Sequence, residues 1–382
     1  MKITIDKNAK TTPTDFSWQF GIGNDHAFQL HRKDVCAHVK TVHDELGMRY
    51  IRFHGIFDDD MLCIQRLSDY KPFGNIPCSN RVTETNFNQI ADVFNNVLAC
   101  GMKPFVELSF MPGALASGKK TGIRYQNNIT QPISLEAWAA FIKKFILFLK
   151  DYYGEAEIRQ WYFEVWNEPD LSIFFKGSQS DYLRFYAATA KAVKSVDAQL
   201  QIGGPSSSAC LWIDDFVNYC RKNGVPFDFI STHHYPGDAF GNSFSMRDAF
   251  KMMSIVKSAA KSGKALSDVM QEMFFKPNIY KKWDKGILAR MDEKAAAKAG
   301  DKPLFITEWN SMAVFASPAH DEKICRRVYC QELHGPEKQN KRVYVLVLLR
   351  YLRGTVHARQ AVSRRIRPDQ QLRHPKAEFL CL

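Results

Sequence analysis

Residues 161–171 read WYFEVWNEPDL, and this stretch decides the predicted fold of the 382-residue chain. Five of its first six residues are aromatic or β-branched, which is typical of a buried strand. The strand must stop at Pro169, because proline has no amide hydrogen to donate to a sheet ladder. Asn167 and Glu168 therefore stand at the carboxyl end of the strand, which is where parallel α/β folds place their reactive groups.

A second apolar stretch ends in the same way. Residues 303–309 read PLFITEW and place Glu308 at the end of another predicted strand. Because the carboxyl ends of parallel strands share one edge, Glu168 and Glu308 are predicted to lie at the same mouth of a barrel. Cleavage of a glycosidic bond requires such a carboxyl pair, with one member protonated and the other ionised. The separation of the two groups stays open at this point.

Strand-like runs alternate with helical stretches along the chain, a pattern that predicts a parallel sheet or barrel. Seven strands are predicted, at residues 16–22, 50–57, 103–110, 161–167, 201–204, 227–235 and 303–309. A closed barrel needs eight, and the single later candidate is VYVLVLL at residues 343–349. Helices are predicted at residues 34–46, 86–98, 134–153, 180–196, 214–223, 246–262 and 287–298, with Ser134 as an N-cap.

Composition restricts the class of protein. The chain is 45% hydrophobic and 24% charged, which is ordinary for a globular protein. Its first residues, MKITIDKNAK, contain no signal-like apolar stretch, and no run of eighteen apolar residues occurs, so a cytoplasmic protein without a membrane partner is expected. The nine cysteines form no CxxC pair and are expected to be reduced, mostly structural thiols.

Five stretches resemble glycoside hydrolase family 39, the family of β-xylosidases that also contains α-L-iduronidases. They are IRFHGIFDDDM at 51–61, SFMPGALASG at 109–118, FEVWNEPDL at 163–171, THHYP at 232–236 and ITEWN at 306–310. The NEP triplet alone is shared by many barrel glycosidases, whereas its combination with the first two stretches in this order is specific. The resemblance covers about residues 14–320. It implies a (β/α)8 TIM-type barrel over 14–323, with residues 1–13 as a remnant strand of a small β-sandwich appendage.

The resemblance also implies an activity and a set of site residues. It implies a retaining O-glycosyl hydrolase of the β-xylosidase type, with Glu168 as general acid/base and Glu308 as nucleophile. It implies sugar contacts from His54, Asn167, His233 and Tyr235. The expected partner is a small oligosaccharide that loses xylose, and neither a cofactor nor a metal is required.

Strand geometry adds to the list of candidate contacts. His233 and Tyr235 are two residues apart on one strand and are predicted to face the same side, with His234 facing the other. Trp309 is a further candidate, as a platform on which a sugar ring stacks.

Other polar residues are interpreted as structural. Glu164 lies in the middle of a strand and is predicted to be paired inside the barrel or to face a helix. Asp58, Asp59 and Asp60 lack further oxygen ligands at metal-binding spacing, so a helix N-terminus is favoured over a metal site.

The resemblance ends near residue 324, where the charge of the chain also changes. Residues 324–382 carry +9 of the net charge of +12 and ten of the arginines. We hypothesise that this segment is translated in the wrong reading frame, which the nucleotide sequence across codon 324 would test. The hypothesis fails if neither alternative frame encodes a Trp- and Gly-rich continuation. If the hypothesis holds, the barrel is expected to be incomplete at its C-terminal end.

Three alternatives to an active β-xylosidase therefore stay open. The first is a catalytically inactive sugar-binding barrel or pseudogene product. The second is another family specificity, such as that of an α-L-iduronidase or a β-glucosidase. The third is nucleic-acid binding through the basic tail, which is disfavoured because no known nucleic-acid-binding module accompanies the arginines. A homo-oligomer is compatible with the sequence.

Overall fold

Eight parallel strands close into a barrel. The computed structural model describes residues 19–69, 81–122, 127–235 and 287–310, the backbone of 342–347, and four single positions between 254 and 263. The strands are β1 (Gly21–His26), β2 (Tyr50–His54), β3 (Lys103–Glu107), β4 (Tyr162–Glu164), β5 (Gln201–Ser208), β6 (Phe229–His234), β7 (Leu304–Trp309) and β8 (Arg342–Val347). The predicted barrel class is confirmed.

The eighth strand comes from the basic segment near the end of the chain. β8 overlaps the late candidate stretch at 343–349, and it pairs in parallel with both β7 and β1. Phe305 is opposite Val343, and Gly21 is opposite Val345. The sheet is therefore closed by a strand from the basic segment. The predicted strand at 1–13 and the rest of the basic segment lie outside the described residues, so the reading-frame hypothesis stays a hypothesis.

Helices follow the strands much as the sequence predicted. They are α1 (Lys33–Leu46), α2 (Asn88–Ala99), α3 (Leu135–Tyr153), α4 (Glu155–Ile158), α5 (Gln179–Val196), α6 (Ile213–Asn223) and α7 (Ile287–Ala299). Six of these coincide with predicted helices to within two residues, and the predicted helix at 246–262 lies largely outside the described residues. The Ser134 hydroxyl accepts a hydrogen bond from the Ala137 amide at 3.0 Å, which confirms the predicted N-cap of α3.

Side chains fill the barrel interior in layers, because alternate residues of each strand face inward. The lowest layer is an aromatic floor of Phe20, Tyr50, Phe105, Tyr162, Phe229 and Phe305. The next layer toward the carboxyl end is polar or charged. Five of the strands contribute to it the residue two positions after the floor residue: Arg52, Glu107, Glu164, Ser231 and Thr307. The floor keeps water out from below, so the polar groups can bond only to one another and to the open carboxyl end.

A bulge shapes the carboxyl end of β7. Ile306 is opposite Thr232, whereas Glu308 is opposite His233, so Thr307 is an additional residue in the strand. An extra residue interrupts the alternation of side-chain directions. As a result the consecutive side chains of Thr307 and Glu308 both reach polar partners in the barrel interior, at Glu164 and Arg52 respectively.

Cysteines play the structural part that the sequence predicted. Cys36, Cys63, Cys100, Cys210 and Cys220, which the structure describes, are free thiols, and all but the first are buried. In the part of the chain that the structure describes, no helix has both the length and the apolar character needed to cross a membrane.

Candidate active site

The loop after β4 carries the first catalytic candidate in an unusual backbone conformation. Trp166 and Glu168 have φ values of +74° and +42°, which are unfavourable for residues that carry a β-carbon. The surroundings hold both residues in place. Trp166 is fully buried and its indole N–H donates to the Phe174 carbonyl at 2.9 Å, and the Glu168 amide donates to the Ser206 carbonyl at 2.8 Å.

Glu168 and Glu308 lie together at the carboxyl end of the barrel. One oxygen of each, and a ring nitrogen of His233, are all within 4.8 Å of one another. The Nδ1 atom of His233 is 2.9 Å from Oε1 of Glu168 and 3.8 Å from Oε2 of Glu308. Both glutamates are largely buried, at 7% and 8% exposure. The predicted convergence of two acidic side chains on one mouth is therefore what the structure has.

Donors surround the carboxylate of Glu308. Arg52 donates from Nη1 to Oε1 at 2.8 Å, and the Tyr235 hydroxyl donates to Oε2 at 2.8 Å. Burial opposes ionisation of this carboxyl, but the neighbouring His233, Arg52 and His54 and the Tyr235 hydrogen bond outweigh it and lower the pKa of Glu308 to about 2. The group is thus ionised throughout the neutral range, as a nucleophile must be.

Arg52 connects both catalytic candidates to the strands beneath them. Its guanidinium is 2% exposed and donates from Nε to Glu164 at 2.6 Å and from Nη2 to Oδ1 of Asn167 at 3.0 Å. Nη2 is also 2.6 Å from Glu107. Burial disfavours the charge, but the carboxylates of Glu107, Glu164 and Glu308 raise the pKa of Arg52. A planar fork with five N–H groups suits this arrangement, because it can serve several acceptors at once.

Comparison with known proteins agrees with this geometry. The family model of the glycosyl hydrolases family 39 matches residues 1–290. The chain belongs to this family. It is 38% identical over 323 residues to a β-xylosidase from Caldicellulosiruptor saccharolyticus, covering 84% of this chain and 58% of that protein. It is 37% identical over 229 residues to a β-xylosidase from Geobacillus stearothermophilus, covering 58% and 43%.

A solved structure gives the same family. The chain resembles the family 39 β-xylosidase from Caulobacter crescentus with a TM-score of 0.65 and 28% identity, over 90% of this chain and 64% of that one. The chain therefore spans between 43% and 64% of the lengths of these three relatives. The family that the sequence motifs indicated is confirmed.

His54, a predicted sugar contact of this family 39 chain, forms a buried ion pair. Its Nδ1 is 2.8 Å from Oε2 of Glu107, whose other oxygen accepts from the Ser109 hydroxyl. Its Nε2 is 3.6 Å from Oε1 of Glu308. Burial disfavours the imidazolium, but the neighbouring Glu107 and Glu308 raise the pKa of His54 to about 9. The ring is therefore charged at neutral pH and adds to the positive potential around Glu308.

We expect His54 to make a pH-dependent contribution to stability. Because its folded-state pKa of about 9 exceeds the ordinary value of 6.5, the contribution is complete below the ordinary value and is lost as the pH rises through about 9. The unfolding free-energy difference between wild type and His54→Gln should shrink by up to about 3 kcal/mol over this window. Urea titrations across the window measure it, with the exposed His38→Gln as the control. A difference that stays constant with pH would contradict the assignment.

Three predicted contacts lie on β6 and β7 or directly after them. His233 and Tyr235 contact Glu168 and Glu308, whereas His234 faces outward and pairs with Asp292 of α7, with Nδ1 2.8 Å from Oδ1. The predicted alternation of these side chains is confirmed. Trp309 is 3% exposed and packs in the hydrophobic core, so its contact with a sugar stays a prediction. Asn167, the last of the predicted contacts, is buried beside Arg52.

Part of the polar network was not predicted from the sequence. Arg52 and Glu107 received no role, although each lies two residues after an aromatic residue of the barrel floor, a spacing that places both on the inner face. Of the two positions predicted for Glu164, pairing inside the barrel is the one that the structure has, since it also accepts from the Thr307 hydroxyl at 2.9 Å. Thr307 was missed in the same way, since it lies two residues after Phe305 of the floor. The bulge, which a single sequence does not reveal, is what brings the next residue, Glu308, to the same interior.

A metal ion has one candidate position in the described part of the chain. Glu168, His233 and Glu308 form the single group there whose ligand atoms lie close enough to share an ion. Asp58 is the N-cap of a short 3-10 helix whose first turn holds Asp59 and Asp60, in line with the predicted helix N-terminus. The three catalytic-site groups already bond to one another and to their neighbours, so the hydrolytic chemistry derived below uses the residues alone.

Proposed function

We propose that this chain is a retaining glycoside hydrolase of the β-xylosidase type, which releases xylose from the non-reducing ends of short xylo-oligosaccharides. The observation that carries the proposal is the carboxylate pair, with oxygens of Glu168 and Glu308 within 4.8 Å of each other. Retaining enzymes keep their carboxyl groups about 5 to 5.5 Å apart, whereas inverting enzymes need about 6.5 to 9.5 Å to admit a water. The similarity to two β-xylosidases supports xylose as the sugar.

Two displacements make up the proposed reaction. In the first, the ionised Glu308 attacks the anomeric carbon while Glu168 donates a proton to the leaving oxygen, which gives a covalent glycosyl-enzyme. In the second, Glu168 removes a proton from a water that attacks the same carbon, and Glu308 leaves as the free carboxylate. Asn167, which Arg52 holds through its amide oxygen, is the proposed partner of the 2-hydroxyl of the sugar.

Trapping of the intermediate tests this proposal. A 2-deoxy-2-fluoro-β-xyloside with a dinitrophenyl leaving group should add one fluoroxylosyl unit to the protein, and peptide mapping should place it on Glu308. Glu308→Gln should remain unlabelled. In a separate test, the first xylose that the wild-type protein releases from an aryl xyloside should be the β-anomer in proton NMR. A label elsewhere, or an initial α-anomer, would refute the assignment.

The same assay separates the alternatives. A protein that unfolds cooperatively but neither releases nitrophenol nor accepts the label would be the inactive sugar-binding barrel. Parallel assays with nitrophenyl glucoside and an aryl iduronide identify another specificity, because only the sugar differs among the substrates. We expect the xyloside to be hydrolysed fastest.

A further inference from the structure

Ser206 occupies a second bulge, at the carboxyl edge of β5. The register of β5 against β6 shifts between Pro205 and Ser207, so Ser206 is the additional residue. Its φ is +53°, and its side chain is fully buried. The carbonyl of Ser206 accepts the amide of Glu168, which places this residue directly beside the general acid/base.

The hydroxyl of Ser206 links Arg52 to His233. Nη2 of Arg52 is 3.3 Å from the Ser206 Oγ, and this Oγ is 3.3 Å from Nε2 of His233. The other ring nitrogen, Nδ1, is 2.9 Å from Oε1 of Glu168. A continuous series of hydrogen bonds therefore runs from the buried guanidinium to the carboxyl group that handles the proton.

The chemistry of the partners decides which atom donates in each of these hydrogen bonds. A guanidinium only donates, so Arg52 occupies a lone pair of Ser206, whose own hydrogen is then available for Nε2 of His233. On the other side of the ring, Nδ1 faces carboxyl oxygens of both Glu168 and Glu308, which favours a hydrogen on Nδ1. Both contacts select the neutral tautomer that is protonated on Nδ1, since the hydrogen-bond partner of one ring nitrogen decides where the proton lies.

Burial of His233 also favours the neutral ring. His233 is fully buried, and loss of solvent lowers its pKa below the ordinary value of 6.5. Glu308 and Glu164 favour the charged ring and Arg52 opposes it. The permanent cation in this part of the site is therefore Arg52, and His233 is a neutral donor to Glu168.

We propose that Ser206 is a positioning residue that sets the tautomer of His233 and so confines the acidic proton of Glu168 to one oxygen. Because Oε1 of Glu168 accepts from Nδ1–H, the proton that it donates in the first displacement belongs on Oε2. Because Nδ1 already carries a hydrogen, His233 does not remove that proton. The catalytic consequence rests on the proposed function, whereas the tautomer itself does not.

Two substitutions remove the hydroxyl in different ways. Ser206→Ala keeps the β-carbon, and Ser206→Gly suits the φ of +53°, so at least the glycine variant should fold. The matched control is Ser207→Ala. Ser207 is equally buried in the same strand, but its Oγ lies near Thr232, at 3.5 Å from Oγ1, and not near His233.

Nitrogen NMR of protein labelled with ¹⁵N-histidine reads the tautomer directly, with the His233→Gln spectrum for assignment. In wild type and Ser207→Ala we expect Nδ1 to be protonated and Nε2 to be an acceptor. In both Ser206 variants a fraction protonated at Nε2 should appear. A wild-type ring protonated on Nε2, or a tautomer that both Ser206 variants leave unchanged, would overturn the proposal.

The pH profile reads the catalytic consequence. Without the serine hydrogen, His233 can accept a proton and, once charged, favours the ionised form of Glu168. The alkaline limb of kcat/KM for an alkyl xyloside should move to lower pH by about one unit in both Ser206 variants. It should stay in place in Ser207→Ala.

Loss of stability without movement of the alkaline limb would make Ser206 merely structural and would overturn its positioning role. Absence of glycosidase activity in the wild type would refute the proposed function, and the NMR result would still decide the tautomer.

Discussion

Replacement of Glu168 by alanine is expected to lower kcat/KM for xylobiose by roughly 10²- to 10⁴-fold, the usual contribution of a general acid. With a dinitrophenyl xyloside the loss should be less than about tenfold, because that leaving group departs without a proton. The ratio kcat/KM reports the first displacement, which is the step in which we propose that Glu168 acts as an acid. Steady-state assays with both substrates on wild type and variant measure the effect.

The second displacement should also be slowed in Glu168→Ala. Water is a poor nucleophile without a base, so Glu168→Ala should accumulate glycosyl-enzyme with the dinitrophenyl substrate and show a burst of aglycone. Azide, which needs no base, should restore turnover and give a β-azide product. The exposed glutamate of α3 serves as the control, since Glu136→Ala should behave as wild type. Equal losses on both substrates would remove Glu168 from the acid role.

Removal of the buried charge of Arg52 should have the largest effect on stability. In Arg52→Met the carboxylates of Glu107, Glu164 and Glu308 stay buried without the cation that now lies within 2.6 to 2.8 Å of each. Breaking one side of a buried ion pair costs about 3 to 5 kcal/mol, a large part of the roughly 5 to 15 kcal/mol that holds a typical domain together. Urea unfolding gives the difference.

An exposed arginine provides the comparison. Arg184 is 58% exposed in its side chain and pairs with Asp181 on the surface, so Arg184→Met should cost at most about 1 kcal/mol. The deficit of Arg52→Met should also decrease in acid, because protonation removes the uncompensated negative charges. If the two variants lose the same free energy, the buried network contributes no special stability. Arg52→Lys should fall between wild type and Arg52→Met, since an ammonium keeps the charge but lacks the planar fork.

Local sequence pattern was sufficient for the barrel and for the two glutamates. Apolar strand runs, helical spacing and the proline after Glu168 are properties of a few neighbouring residues. They located six strands and six helices close to where the structure has them, whereas the first strand, predicted at 16–22, lies at Gly21–His26. Ser134 as an N-cap and the alternation of His233, His234 and Tyr235 were predictable for the same reason. The eighth strand was only a late candidate, because its pairing with β1 depends on residues more than 300 positions away and on closure of the sheet.

Sequence alone thus determined which acidic groups would stand at the carboxyl edge, because strand ends and the chemistry of proline are local. Only the tertiary structure decided how those groups are held. The bulges at Ser206 and Thr307 reverse the expected side-chain directions, and Arg52 bonds to residues on four other strands or the loops that follow them. The pKa of about 2 at Glu308 follows from cations brought together by closure of the barrel. Such a pKa depends on the charges of residues that are far apart in the chain and on their distances in the folded protein, which no local pattern encodes.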